Sequence, residues 1–150
     1  MSASQTRLTD FLPYLLSITS NVVSDRIADA YRVHFGLKIP EWRVMAVLGD
    51  QGAATQRALV EATRMDKVAV NRACRGLEER GLLTRRPNSA DGRSHHIGLT
   101  AAGDEVYRAI MPMALEMEGR LFSGLSEAER ALFKDLLQRI RFQAETGTQS

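Results

Sequence analysis

Lys67, Asn71, Arg72 and Arg75 fall within nine residues of one another, a spacing that lets one helix carry them all. Their chemistry is recognition rather than bond making. Lysine and arginine neutralise phosphates or contact guanine, and asparagine can pair bidentately with adenine. Val68 and Ala69 lie among them, and an apolar side chain in that position suits the methyl group of thymine. Another cation, Arg93, follows Asp91-Gly92, a strong turn signal. An arginine on a protruding turn can enter a narrow minor groove, where the potential is most negative. Asp91 can orient that guanidinium through a charge-assisted hydrogen bond. A solvated helix face and an incidental ion pair are the plainer reading of each piece alone. Their succession, helix then turn, favours duplex DNA.

The elements around these residues must present them outward. Val70, Cys74 and Leu77, at spacings of four and three, predict the buried face of a helix. That helix starts at the N-cap Asp66 and ends at Arg80 before Gly81. Lys67 then lies in its first turn, and Val68, Asn71, Arg72 and Arg75 face away. A shorter helix precedes it, capped by Thr55, running to about Thr63 with Leu59 and Ala62 inward, and joined to it through Arg64-Met65. Gly52–Thr55 is a candidate minor strand. After the helix pair the period changes to that of a hairpin. One strand spans Leu82–Pro87 and the other Arg93–Leu99, with Asn88–Gly92 as the turn and Ile97 and Leu99 on one face. The order predicts a mostly α fold with a small β-hairpin wing: a winged helix-turn-helix whose second helix enters the major groove.

The remaining segments read as helices. Leu12, Leu15, Leu16, Val23, Ile27, Tyr31 and Phe35 form an apolar stripe, with Thr9 as the expected N-cap, Pro13 near the first turn and Gly36 as the stop. A second helix follows Pro40 with Trp42, Met45, Ala46 and Leu48 inward. Thr100 caps a fifth, carrying Val106, Ile110, Met113, Met117 and Leu121, with Pro112 expected to kink it and Gly124 to close it. Ser126 and Glu129 form a capping box for the last, which shows Leu132, Phe133, Leu136, Leu137 and Ile140. The first and last helices have broad apolar faces, yet the winged core is residues 37–99. Such faces need a partner, and a two-fold mate is the commonest.

Composition bounds the rest. Residues 36–103 carry 11 Lys/Arg against 7 Asp/Glu, while 104–150 carry 6 against 8, so the basic excess is central. No apolar run reaches the roughly 20 residues of a bilayer span, and the polar start lacks a leader pattern; a cytoplasmic protein is expected. The chain has one cysteine, which excludes an intrachain disulfide. Cys74 falls on the expected core face and reads as a structural thiol. His95 and His96 are adjacent in a strand, point to opposite faces, and with His34 the one other histidine make no expected metal site. No nucleophile motif, phosphate-cradling glycine loop or paired carboxylate is present, so neither an enzyme nor a cofactor is expected.

The run MDKVAVNRACRGLEERGLLTRR, followed by DGR and IGLTAAG, resembles the MarR family of bacterial regulators. The likeness extends to EWRVMAVL, the long first helix and the last two helices. It implies a homodimer built from residues 1–36 and 100–150 around a DNA-binding domain at 37–99, intertwined as one unit. It implies recognition positions across Lys67–Arg75, with Thr55 and Gln56 added at the start of the third helix, and Arg93 as the wing arginine. The DNA would be a pseudo-palindromic operator with half-sites roughly 10 bp apart. The resemblance further implies a repressor relieved by a small organic, often aromatic, effector bound between the dimer helices and the winged domain, near Tyr31, His34 and Trp42. Two departures stand out. Val68 and Ala69 replace hydroxyl residues common in the family, and Arg64 replaces a frequent glycine, which costs on the order of 1 kcal/mol if φ there is positive. The rival reading is a winged protein-interaction module without sequence-specific DNA binding.

Overall fold

The computed structural model describes residues 6–88 and 91–147; for Asn88 and for 91–94 it describes the backbone alone. Among these, helices α1 (Leu12–Phe35), α2 (Ile39–Gln51), α3 (Gln56–Thr63) and α4 (Lys67–Glu79) precede strands β1 (Leu83–Asn88) and β2 (Asp91–Leu99). Helices α5 (Ala101–Leu121) and α6 (Glu127–Thr146) follow. The winged order expected from the sequence is therefore present.

The core forms where the end of α1, helices α2 and α4, the hairpin and the first half of α5 converge. Tyr31, Leu37, Met45, Leu59, Leu77, Ile97 and Ile110 are its largest fully buried side chains. The expected inward residues of α4, Val70, Cys74 and Leu77, are all 0% exposed, and Ala73 joins them. The face is complete because α2 packs along α4 on one side and β1 on the other.

Side chains fix most of the helix starts. Thr55 accepts from the Ala58 amide, Asp66 from Ala69, and Thr100 from Gly103. The Ser126 and Glu129 box closes with both bonds formed. Each satisfies amides that a helix N-terminus otherwise leaves unpaired. The hairpin is antiparallel, with Arg85 opposite Ile97 and Pro87 opposite His95, and the expected minor strand is a single bridge, Ala54 to Ile97.

Several expectations are corrected. Thr9 does not cap α1; it lies inside a 3-10 turn, Leu8–Asp10, and α1 begins beyond it at Leu12. Pro13, with its fixed φ, sets the helix start beside itself. Ala62 is exposed, because α3 is so short that only the turn carrying Leu59 reaches the core. The strands extend to Asn88 and Asp91, so Asp91-Gly92 belongs to β2, and the connection shortens to residues 89–90, outside the described residues. α5 ends at Leu121, before Gly124.

Arg64 lies in the left-handed region, φ 59°, between α3 and α4. Its side chain donates to the Glu61 carbonyl and to Glu145 of α6, the latter at 2.6 Å. The ion pair is exposed and contributes less than about 1 kcal/mol. A β-branched residue tolerates this φ far less than arginine does. Arg64→Val is expected to lower stability by about 2 kcal/mol, whereas Arg64→Gly is not, as urea denaturation would show.

Candidate nucleic-acid interface

α4 exposes what its buried face leaves over. Lys67, Arg72 and Arg75 are exposed, and Val68 is 67% exposed, whereas Ala69 and Asn71 are half-buried. Among the described residues no ion pair engages Lys67, Arg72 or Arg75, although most other arginines of the chain have one. Asp66 caps the helix end from which Lys67 projects, and its carboxylate offsets part of the positive potential of the amide dipoles there, leaving Lys67 as the outward charge. α4 lies close to α2 because residue 76 is glycine: a Cβ there would come within 2.6 Å of a Glu41 oxygen. Glu41 is buried and accepts from the Lys38 amide, closing the start of α2.

Thr55 and Gln56 are half-buried, and the Thr55 hydroxyl is engaged in capping α3. They line a cleft of about 470 Å³ between the starts of α3 and α4 and the inner face of the wing. Arg57, Lys67, Arg85 and His95 complete its rim. The sequence reading did not assign Arg57 or Arg85 to the site. Arg85 was traceable in principle: strand alternation places it on the face of Leu83, toward the helices. It donates through Nε to Glu78 and through Nη2 to Asn71 Oδ1 at 3.4 Å. The wing is thus tied to α4. His95 shares that inner face and His96, opposite Arg86, takes the outer one, as expected. The side chains of Asp91 and Arg93 lie outside the described residues; their backbone is in β2.

The aromatic residues assemble elsewhere. Tyr31 and Trp42 stack at 5.4 Å and Trp42 and Tyr107 at 6.0 Å, so one ladder of rings joins α1, α2 and α5. Tyr31 and Trp42 are buried. His34 is not with them: it is exposed, edge-on to Phe35 at 6.5 Å. It stands three residues beyond Tyr31, which turns it off the ladder by most of a right angle. Tyr107 was missed because an isolated tyrosine on α5 gives no signal of its stacking partner.

Burial pushes the Cys74 thiol above its ordinary value, opposed in part by Arg85, and pushes the Tyr31 phenol up likewise. Both groups therefore favour the neutral form in the folded chain. Their contribution to stability is whole below the ordinary thiol pKa of 9.0 and is lost as pH rises above it, because the unfolded chain ionises first. Stability is expected to decline from about pH 9 upward, and native Cys74 to resist thiol reagents at pH 8 until the chain is unfolded. Thiol titration with and without urea checks this.

Among the described residues, no helix is long and apolar enough to cross a membrane, and no group of three His, Cys, Asp or Glu side chains is placed to hold a metal. A family model described as "MarR family" matches residues 35–94. Transcriptional regulator HosA of Escherichia coli is 31% identical over 67% of this chain and 75% of its own. A MarR/EmrR family regulator from Acinetobacter sp. ADP1 superposes with a TM-score of 0.86 at 26% identity, covering 93% of this chain and 99% of the other. Bordetella bronchiseptica BpsR, whose DNA binding is regulated by 6-hydroxynicotinic acid, superposes with a TM-score of 0.83 at 25% identity, covering 92% and 98%.

Proposed function

We propose, for a chain that belongs to the MarR family of transcriptional regulators, that two copies bind one pseudo-palindromic operator and repress transcription until a small aromatic ligand releases them. The observation that carries this reading is α4 itself. Its outward face offers Lys67, Arg72 and Arg75 without acidic partners among the described residues, and an exposed valine, beside a wing tied to the same helix. Lys67, Arg72 and Arg75 neutralise phosphates or reach guanine, Val68 and Ala69 meet apolar base edges, and Asn71 contacts a base. Thr55 and Gln56 meet the backbone at the cleft, and Arg93, oriented by Asp91, enters the minor groove from the wing.

The dimer reading rests on α6. Among the described residues it has no substantial packing against another element of its own chain. Yet Leu132, Phe133, Leu136 and Ile140 are 38–55% exposed along one side of it. The start of α1 is likewise uncovered, with Leu12 at 75% and Leu16 at 45%, whereas Ala28 and Tyr31 near its end are buried. Residues 1–36 and 100–150 then form the interface around the DNA-binding domain at 37–99. Closing such faces at about 25 cal/mol per Å² of apolar surface accounts for a stable association.

The effector is an aromatic acid that settles beside the Tyr31–Trp42–Tyr107 ladder. Trp42 is the one tryptophan of the chain, so its emission reports the site. Titration with a panel of hydroxybenzoates and pyridine carboxylates, 6-hydroxynicotinic acid among them, is expected to quench Trp42 and release DNA at the same concentration. DNA release with Trp42 unchanged would place the effector elsewhere.

The experiment for the function as a whole is binding to the promoter DNA of the protein's own gene at two salt concentrations. Affinity is expected to fall steeply with salt as phosphate contacts release counterions. Replacing Lys67, Arg72, Arg75 and Arg93 together by glutamine is expected to abolish binding. Survival of binding in that variant would favour an interaction module using another surface.

A further inference from the structure

We infer that Arg85 sets the base that Asn71 reads, turning it from an adenine reader into a reader of base acceptors, guanine foremost. This rests on the DNA-binding reading of α4.

Asn71 and Glu78 are seven residues apart, two turns of α4, and so share one face. β1 brings Arg85 against that face, opposite Ile97 in the hairpin register. The guanidinium lies along the helix, with Nε on the Glu78 carboxylate and Nη2 on Asn71 Oδ1 at 3.4 Å. The Arg85–Glu78 pair is the shielded one: its side chains are 29% and 35% exposed, whereas every other described ion pair has both partners at least 45% exposed. Glu78 thus anchors the guanidinium where it meets Asn71.

The chemistry of arginine fixes which way the amide points. A guanidinium has only donors, so the asparagine atom facing it must be the oxygen. Nδ2 is then directed away from the wing. Reading adenine needs both amide atoms on one base edge, Oδ1 accepting from N6 and Nδ2 donating to N7. With Oδ1 turned to Arg85, Asn71 offers the groove a donor. Guanine presents two acceptors there, N7 and O6, adenine only N7 beside its N6 donor, thymine O4, and cytosine a donor that Nδ2 cannot use. Arg85 is a positioning residue in this scheme: it touches no base and acts through Asn71.

The test is selection of bound sequences from a randomised operator library by the full-length wild type, Asn71→Ala, Arg85→Met and Arg85→Lys. Melting temperature and salt slope are measured in parallel. The wild type is expected to prefer guanine over adenine by roughly tenfold at the position whose preference Asn71→Ala flattens. Arg85→Met frees Oδ1 and is expected to shift that one position to adenine with the salt slope unchanged. Arg85→Lys, which keeps the charge but cannot span both partners, is expected to shift it part of the way. A wild-type preference for adenine there, no position that depends on Asn71, or an Arg85→Met protein weakened equally on all sequences would each overturn the inference. If both Arg85 variants fail to fold, a wild-type preference for adenine at the position that Asn71→Ala flattens still overturns the inference. Failure of the wild type to select any duplex would remove the DNA-binding reading itself, and shows before any substitution is made.

Discussion

Leu136→Asp combined with Ile140→Asp is expected to leave a folded monomer whose operator affinity is at least a hundredfold lower. Both side chains already face solvent within their own chain, at 38% and 54% exposure, and α6 has no substantial packing against its own chain's described elements. The isolated fold therefore loses little. In a dimer the same positions are enclosed, and two carboxylates per subunit without cationic partners cost several kcal/mol to desolvate. Losing the second DNA-binding domain removes an intramolecular binding step, worth on the order of 10²–10⁴ in affinity. Sedimentation and gel-shift titration measure the two consequences separately. A variant that stays dimeric, or a monomer that binds the operator as the wild type does, contradicts the proposed assembly.

Gly103→Ala is expected to have the largest effect on stability of any single methyl added to the chain. Gly103 is buried in the first turn of α5, and a Cβ there would lie 2.0 Å from the Leu82 carbonyl oxygen and 3.3 Å from a Leu99 methyl. A backbone oxygen cannot swing aside as a side chain does. The same turn is pinned from both sides: the Thr100 hydroxyl accepts from the Gly103 amide and donates to the Gly81 carbonyl. Relief must come by moving α5 off the segment that links α4 to β1. Overpacking of this kind costs about 3 kcal/mol. For a chain of this length that lowers Tm by about 10 °C. The displacement also separates wing from recognition helix, so DNA affinity should fall with it. An unchanged melting curve would show that α5 does not lock the winged domain.

How much of this was legible beforehand depends on the range of the interaction concerned. Caps act within four residues, and Thr55, Asp66, Thr100 and Ser126 were all readable as helix starts because donor and acceptor lie that close. The buried face of α4 was readable for a similar reason, since Val70, Cys74 and Leu77 state the helical period themselves. Periodicity tells which side is covered and is silent about what covers it. Arg85 looked like an ordinary strand cation until the fold set it against Asn71 and Glu78. Tyr107, which the sequence reading passed over, closes the ladder on Trp42 only through the packing of α5 against α2. Thr9 misled because a hydroxyl before an apolar run is only a candidate cap, and Pro13 fixes the helix start three residues further on. His34 misled because nearness in sequence to Tyr31 does not bring it to the same side of the helix.

The measurement that bears most directly on the central claim is affinity as a function of half-site spacing. Two winged domains held rigidly by one helical interface can meet one duplex only if their half-sites share a face, about one turn or 10 bp apart. Inserting 5 bp between the half-sites of the selected operator turns one of them to the far side of the helix, and affinity should drop at least a hundredfold; inserting 10 bp returns it to the same face but a full turn too far away, and affinity should stay at the level of a single subunit. Equal affinity for all three spacings would contradict the account, because it would mean that each subunit meets DNA on its own.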